Sequence, residues 1–356
     1  MTDLLYTDVE ESLRSSVRST LQRSLDDGLA ARLYDEPDAD TSGPWKALAG
    51  RLGLAGLLVP ESLGGAGAGP REAAVVLEEL GRTVAPVPFL TSAVIATTAL
   101  LATGDETHLP ALAAGERTAA LVLPWTARRG AWAPVQGSAE PVAGASGADL
   151  LLVPTAGEGG ATSLRLHERD EVDVEAITSL DMSRPLARVT VRGEGTEIAS
   201  GQSAEAAVDA ALAAGAALLA SEQLGLAEWC LETTVEYAKD RVQFARPIGS
   251  FQAIKHRLAD LYLLLVGTRA AARYAAGTLA DGDADQHVAQ AVAQAFCGDA
   301  AVRAAEEALQ LHGGIGMTWE HTVHTRLKRT KSDQLALGTP DRHRADLAVL
   351  VDLPAG

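Results

Sequence analysis

At 356 residues with 47% hydrophobic side chains, the chain is long enough to bury a large core in two or three domains. A formal net charge of -17 argues against binding nucleic acid through a basic surface, which needs excess Lys and Arg to neutralise phosphates. No apolar run reaches the roughly 18–20 residues of a membrane span, and the acidic start MTDLLYTDVEESLRSS has no basic region followed by an apolar one, so neither a membrane segment nor a secretory leader is expected.

The first third reads as helices. Val9 to Leu25 places Val9, Leu13, Val17 and Leu21 at helical spacing. Ser42-Gly43-Pro44 signals a helix over Trp45 to Leu52. Leu58 to Glu61 and the glycine-rich run Gly64 to Pro70 form a turn-rich connector. A helix is predicted over Arg71 to Gly81 with Gly81 as its cap, then extended chain at Pro86 and Pro88, then helix over Thr91 to Ala102. The middle third changes character. Ala119 to Leu123, Leu150 to Pro154, Ser163 to Leu166 and Ala187 to Val191 are short apolar or alternating runs, which predict a small antiparallel β domain. From Ser203 the pattern is helical again, with long helices near 203–241, 251–281 and 284–312 and shorter ones near 319–331 and 340–352. Leu258, Leu261, Tyr262 and Leu265 form a mostly apolar stripe, and the Ala-rich stretch 206–219, broken by Asp209, reads as a packed bundle helix. The expected class is α+β, with a helical domain over 1–118, a small, reduced β domain over 119–201 and a four-helix bundle over 202–356.

Chemistry-bearing residues outside one segment are sparse. Cys230 and Cys297, the only cysteines, sit in helical patterns and read as buried reduced thiols of a cytoplasmic protein. Arg326, Lys328, Arg329 and Lys331 form a basic cluster suited to an anionic ligand, a solvated helix face or a subunit contact. His321 and His324 have metal-ligand spacing but no carboxylate or cysteine set beside them, so solvent-facing or interface histidines are the better reading and no metal is expected. Gly64 to Gly69 lacks the lysine of a phosphate-binding loop, and Ser221 and Ser250 lack identifiable histidine and acid partners.

The exceptional segments are DRVQFARPIGSFQAIKHRLADLYL and QLHGGIGMTWEHTVHTRLKRTKSDQLALGT, supported by GLAGLLVPESLGGAGAGPREAAVVLEELGRTVAPVPF, ADLLLVP and LDMSRPLARVTV. In this order the chain resembles the acyl-CoA dehydrogenases along most of its length. That resemblance implies FAD as cofactor and α,β-dehydrogenation of an acyl thioester: a carboxylate removes the α-proton, the β-hydride passes to the flavin, and an electron-transfer flavoprotein-type acceptor takes the electrons. It implies cofactor contacts at Arg241, Gln243, Phe244, Phe251, Gln252, Gln310, Leu311, His312, Gly313, Gly314 and Thr339. The residue types suit the task. Arginine offers a planar cationic fork for phosphate, phenylalanine a flat apolar face, and paired glycines open backbone N–H groups. In the family the Arg/Phe and Gln-x-x-Gly-Gly segments serve a neighbouring subunit's FAD. Taken one by one, Arg241 also fits an exposed helix end, Phe244 and Phe251 fit a core, and Gly313-Gly314 fits a helix cap.

The same resemblance exposes what is missing. The family's common base position, directly before Gly338-Thr339, is Leu337, and the alternative position falls on Gly215. Neither side chain accepts a proton, so no catalytic residue is assigned. Asp209 and Glu222 lie about two turns to either side of Gly215. The flavin-facing Thr-Glu-Pro and Gly-Ser-Asp groups of active members are also absent. Ser138-Ala139-Glu140-Pro141 comes too late to replace them, and Trp125 and Trp132 suit either ring stacking or packing. This pattern resembles the base-lacking subunit of actinobacterial heterotetrameric (α2β2) enzymes that act on bulky, steroid-type acyl-CoA, whose partner is a homologous subunit. The alternatives are a self-sufficient homo-oligomer with an unconventional base, a member serving a carrier-protein thioester or non-redox biosynthesis, and a pseudoenzyme.

Overall fold

The computed structural model describes residues 4–26 and 28–353; the first three residues of the N-terminal stretch read above, and the last three of the chain, lie outside this range. Helix α1 (Asp8–Ser24) begins with a reciprocal cap: the Thr7 hydroxyl accepts from the Glu10 N–H, and the Glu10 carboxylate accepts from the Thr7 N–H at 2.6 Å. Val17 and Leu21 of α1 are buried in the main core. Short helices α2 (Leu29–Arg32) and α3 (Ser42–Lys46) follow, the latter running on as a wide turn through Ala47–Arg51. Helix α4 (Pro70–Thr83) starts with Pro70 in its first turn and with the Glu72 carboxylate accepting the Gly69 N–H at 2.9 Å. The helix α5 (Thr97–Thr103) extends a wide-turned segment Phe89–Ala96, and α6 (Leu109–Ala113) closes the helical N-terminal region.

Gly81 is not the cap of α4. The helix continues to Thr83 and is capped by Val84 at φ 52°. A Cβ on Gly81 would lie 2.2 Å from the Glu222 carbonyl, and one on Gly225 would lie 1.9 Å from the Glu78 carbonyl. Two glycines on facing helices therefore let the backbones of α4 and the long helix carrying Gly225 touch, which is a packing role rather than a turn role.

The middle region holds two sheets. Strands β1 (Ala119–Leu121), β3 (Leu150–Ala156), β4 (Thr162–Glu168) and β7 (Thr196–Ser200) form one, in that order; β2 (Ser138–Ala143), β6 (Leu186–Val191) and β5 (Val172–Ile177) form the other. The expectation of a purely antiparallel arrangement is corrected by β1, which pairs parallel to β3 with Ala119 opposite Leu150. Strands β2, β5 and β7 were not anticipated because polar residues and partial exposure run along them, so they lack the apolar signal of β3.

The C-terminal region is built on α7 (Gln202–Asp240), which packs against α4, α8 (Gln252–Asp281), α9 (Gln286–His312) and α10 (Val323–Leu335); α11 (Pro340–Leu350) lies on α9. By length and composition α7 is able to cross a membrane, but 72% of its most apolar window is buried in the protein, as suits a bundle core. Of the predicted α8 stripe, Leu261 and Leu265 are buried, whereas Tyr262 is 56% exposed. The basic cluster is not a solvated face. Arg329 is fully buried against Asp181, Glu222 and Ser183, Arg326 lies over Trp229, and Lys331 pairs with Glu306 at 3.0 Å. Cys230 and Cys297 are buried free thiols, and burial pushes both up to about 12.

Candidate functional site

Where α7 ends, the chain makes a small hairpin of β8 (Val242–Gln243) and β9 (Arg246–Pro247). Its two turn residues, Phe244 and Ala245, both have positive φ, 53° and 62°. That turn geometry favours Asn and Gly, and a phenylalanine there holds local strain of the kind concentrated at functional sites. The strained side chain is not core: Phe244 is 88% exposed. It meets Phe251 edge-on at 6.2 Å, and the Arg246 guanidinium lies 3.9 Å over the Phe251 ring. Arg241, Gln243 and Gln252 are exposed beside it. The hairpin is an outward-pointing finger with cationic and aromatic groups.

The second segment comes to the same end of the bundle. Tyr237, one turn before Arg241, stacks on His312 at 4.4 Å, which joins the C-terminal ends of α7 and α9. His312 Nδ1 donates to the Ala308 carbonyl at 2.7 Å, and burial lowers its basicity. Leu311 and His312 turn their side chains inward, so at these two positions only backbone is available to a ligand. Gln310, Gly313 and Gly314 are exposed. Gly313, at φ 62°, donates its N–H back to Gln310, and nothing lies within 4 Å of a Cβ built on Gly314. An open backbone beside a cationic, aromatic finger offers N–H donors, positive charge and an apolar ring face to an anionic ligand.

Beyond Gly314, Trp319 packs on Tyr34 and His324, and the Lys328 ammonium lies 3.7 Å and 4.1 Å over the Tyr34 and Trp319 rings. His321 packs on His312 at 4.3 Å. These histidines belong to an aromatic cluster rather than to open solvent. His324 is held down to about 4, by burial first and then by Lys328 and Arg326.

Thr339 lies elsewhere. It caps α11, its hydroxyl accepting from the Arg342 N–H at 3.4 Å. The adjoining Leu337 sits beside Gly215: a Cβ on Gly215 would be 3.1 Å from Leu337 Cδ1 and 2.7 Å from Ile95 Cγ1. The two positions flagged for a base therefore meet at one spot, where apolar side chains fill the space. Leu337 is buried at φ 53°, its N–H donates to the Trp125 carbonyl at 2.7 Å, and its own carbonyl accepts from His343 Nε2 at 2.9 Å. The cavity here is about 20 Å³, enough for one water. Its lining is Thr91, Ile95, Leu121, Leu123, Pro124, Trp125, Ala143, Leu212 and Leu337, with no ionisable side chain. From Gly215 to Arg241 along α7 is ~40 Å at 1.5 Å per residue. The finger thus follows the C-terminal end of α7, whereas the base position lies about a third of the way into the same helix.

The carboxylates nearest in sequence are committed elsewhere. Glu222 receives Arg184 at 2.6 Å and Arg329 at 2.5 Å; burial alone would raise it, but the two guanidiniums outweigh this and hold it ionised. Asp333 pairs with Arg184 at 2.6 Å, and burial together with the Glu222 charge raises it to about 8. Asp209 accepts from the Gly130 N–H at 2.9 Å and from Trp132 Nε1 at 2.8 Å. Sequence reasoning missed this buried ionic centre and the role of Asp209. A charged residue inside an alanine-rich run, such as Glu222 in GAALLASEQLGL, was the available signal.

Comparison with known proteins identifies the family. The acyl-CoA dehydrogenase N-terminal domain matches residues 7–116, and the acyl-CoA dehydrogenase C-terminal domain matches residues 204–350. The acyl-CoA dehydrogenase IpdE2 of Mycobacterium tuberculosis is 38% identical over 299 residues, covering 83% of this chain and 82% of that protein. Among solved structures, the ChsE4-ChsE5 complex from Mycobacterium tuberculosis contains a chain that superposes with a TM-score of 0.85 at 26% identity, covering 99% of this chain and 100% of that one. A variant of the Tcur3481-Tcur3483 steroid acyl-CoA dehydrogenase gives 0.84 at 27% identity, over 97% and 98%. With both terminal domains matched and a relative this similar over most of its length, the chain belongs to the acyl-CoA dehydrogenase family of oxidoreductases.

Proposed function

We propose that this chain is the base-lacking subunit of a heteromeric, FAD-dependent acyl-CoA dehydrogenase. One observation carries the reading: Leu337 and Gly215 lie side by side, and the apolar cavity that Leu337 lines contains no group able to take a proton. The finger and the Gly313-Gly314 backbone, ~40 Å away along α7, face outward and suit the adenosine and pyrophosphate half of an FAD whose flavin lies in the partner. There the flavin supplies the hydride acceptor, while a carboxylate of the homologous partner takes the α-proton. This chain's residues bind and orient: Arg241 supplies positive charge, Phe244 an apolar face, and Gln310 with the glycine backbone the hydrogen bonds. Two relatives of similar fold are a named two-component complex and a steroid acyl-CoA dehydrogenase, which supports an α2β2 assembly acting on a bulky acyl-CoA. An electron-transfer flavoprotein-type acceptor completes the cycle, and two buried reduced thiols suit a cytoplasmic assembly. Domain limits of 1–118, 119–201 and 202–356 belong to the same proposal.

The test is FAD content and native mass of the chain purified alone and co-expressed with a homologous subunit encoded beside it. Stoichiometric FAD confined to a mixed tetramer is expected. A yellow homo-oligomer of this chain alone, bleached by an acyl-CoA, refutes the proposal.

A further inference from the structure

The segment between β1 and β2 does more than connect two strands. On the sheet side, the Trp125 N–H donates to the Pro141 carbonyl at 2.6 Å. On the bundle side, the Trp125 carbonyl accepts from the Leu337 N–H at 2.7 Å. Three residues on, Arg128 reaches α11, its Nε and Nη2 donating to the Asp346 carboxylate at 2.8 and 3.1 Å. The stem of Arg128 crosses Gly338 so closely that a Cβ there would lie 2.7 Å from Arg128 Cδ. A tight turn follows at Arg128 to Ala131, and Asp209 of α7 then holds both the Gly130 N–H and the Trp132 indole N–H. The segment is therefore tied to α7, to α11 and to the link between α10 and α11. What remains beneath it is the cavity of about 20 Å³, against the ~300 Å³ at the lower end of small-molecule pockets.

We propose that residues 124–132 are a strap that closes this chain's own cleft between the β sheets and the helical bundle. Missing space is then a further reason for a silent cleft, independent of the missing carboxylate and the missing flavin-facing groups. This rests on the subunit reading above and adds to it that a carboxylate at position 337 is not sufficient to revive the cleft. Asp209 and Asp346 are the latches. Both are partly exposed, so either can be removed without hollowing the core.

The experiment uses the co-expressed assembly. Wild type, Leu337→Glu, Asp209→Ala/Asp346→Ala and the triple variant are titrated with a small apolar fluorescent dye. Trypsin cleavage after Arg128 and Arg129 reports strap opening separately. Wild type and Leu337→Glu should bind equal dye and resist trypsin at the strap. The latch variants, with or without Leu337→Glu, should be cut at least ten-fold faster and bind additional dye. Extra dye in Leu337→Glu alone overturns the strap, and so does a strap that opens to trypsin with no additional dye in the latch variants. If the double latch variant fails to fold, Trp132→Phe with Arg128→Leu removes donors from the same latches, and strap opening is then read from cleavage after Arg129 alone. Failure of the subunit reading shows itself separately, as wild-type chain holding its own FAD without a partner.

Discussion

Replacing Phe244 by alanine separates a residue that holds the fold from one that holds a cofactor in a neighbour. In the free chain the ring is 88% exposed and has one aromatic neighbour, Phe251 at 6.2 Å. Losing an edge contact of that kind costs about 0.5 kcal/mol, and alanine inherits the same left-handed turn, so the stability of the isolated chain should change by no more than about 0.5 kcal/mol. The proposed assembly requires the ring to be covered by cofactor and partner. Burying a phenylalanine contributes about 1.5–3 kcal/mol, which corresponds to roughly a 10- to 150-fold weaker hold on FAD. Glycine should lose FAD to the same extent while relieving the turn strain at φ 53°, raising free-chain stability by up to about 1 kcal/mol. The assay pairs urea unfolding of the isolated chain with fluorescence titration of FAD into the deflavinated assembly. Unchanged FAD affinity in an intact assembly refutes the cofactor role. A loss above about 1 kcal/mol in the free chain shows instead that the ring is packed within its own subunit.

Further outcomes follow from the interior. Gly225→Ala would put a Cβ 1.9 Å from the Glu78 carbonyl, a backbone atom on the facing helix, and should destabilise by about 3 kcal/mol or more, whereas nothing lies within 4 Å of the same change at Gly50; paired thermal melts decide. Arg329→Met strips Asp181 and Glu222 of a shared, fully buried partner and should cost about 3–5 kcal/mol in urea unfolding; a loss below about 1 kcal/mol shows the carboxylates are reached by solvent. His324 is held neutral down to about 4, below the ordinary 6.5, so the folded state binds fewer protons than the unfolded chain between those values. Stability should be full above pH 6.5 and decline by about 2 kcal/mol, after discounting for partial exposure, as pH falls to 4. His324→Phe should flatten that slope relative to wild type in urea titrations at several pH values, and an unchanged slope removes His324 from the account.

How much was legible in the sequence differs by level. The long helices were plain because their apolar residues recur over many turns, and α7, α8 and α9 begin and end within two residues of expectation. The β region was read where a strand carries an apolar or alternating run, as in the buried β3 and the half-buried β6. Strands β5 and β7 present exposed and half-buried residues, so no alternation marked them. Gly81 was misread because a helix-ending glycine and a helix-crossing glycine look alike until the facing carbonyl of Glu222 is located. The finger residues came from family resemblance, since an exposed phenylalanine in a left-handed turn leaves no periodic trace. The latches Asp209 and Asp346 join positions far apart in the chain, and a single sequence carries no record of such pairings.

Two regions along α7 make opposite use of side-chain burial, and this gives the subunit reading its physical content. At the C-terminal end a phenylalanine is held out to solvent in a strained turn, with an exposed arginine and open glycine backbone nearby, an arrangement with an energetic cost to the isolated chain and a return only when something covers it. About a third of the way into the helix, the two positions flagged for a base are packed with leucine, isoleucine and tryptophan until one water's volume remains. A self-sufficient enzyme needs the second region open and charged; here it is closed and apolar. A protein that had lost its cofactor contacts has no use for the first, because Phe244→Gly would relax the turn. A chain that keeps the exposed, strained region and fills the other is consistent with a subunit that lends half a cofactor site to a neighbour, and both regions then have one explanation.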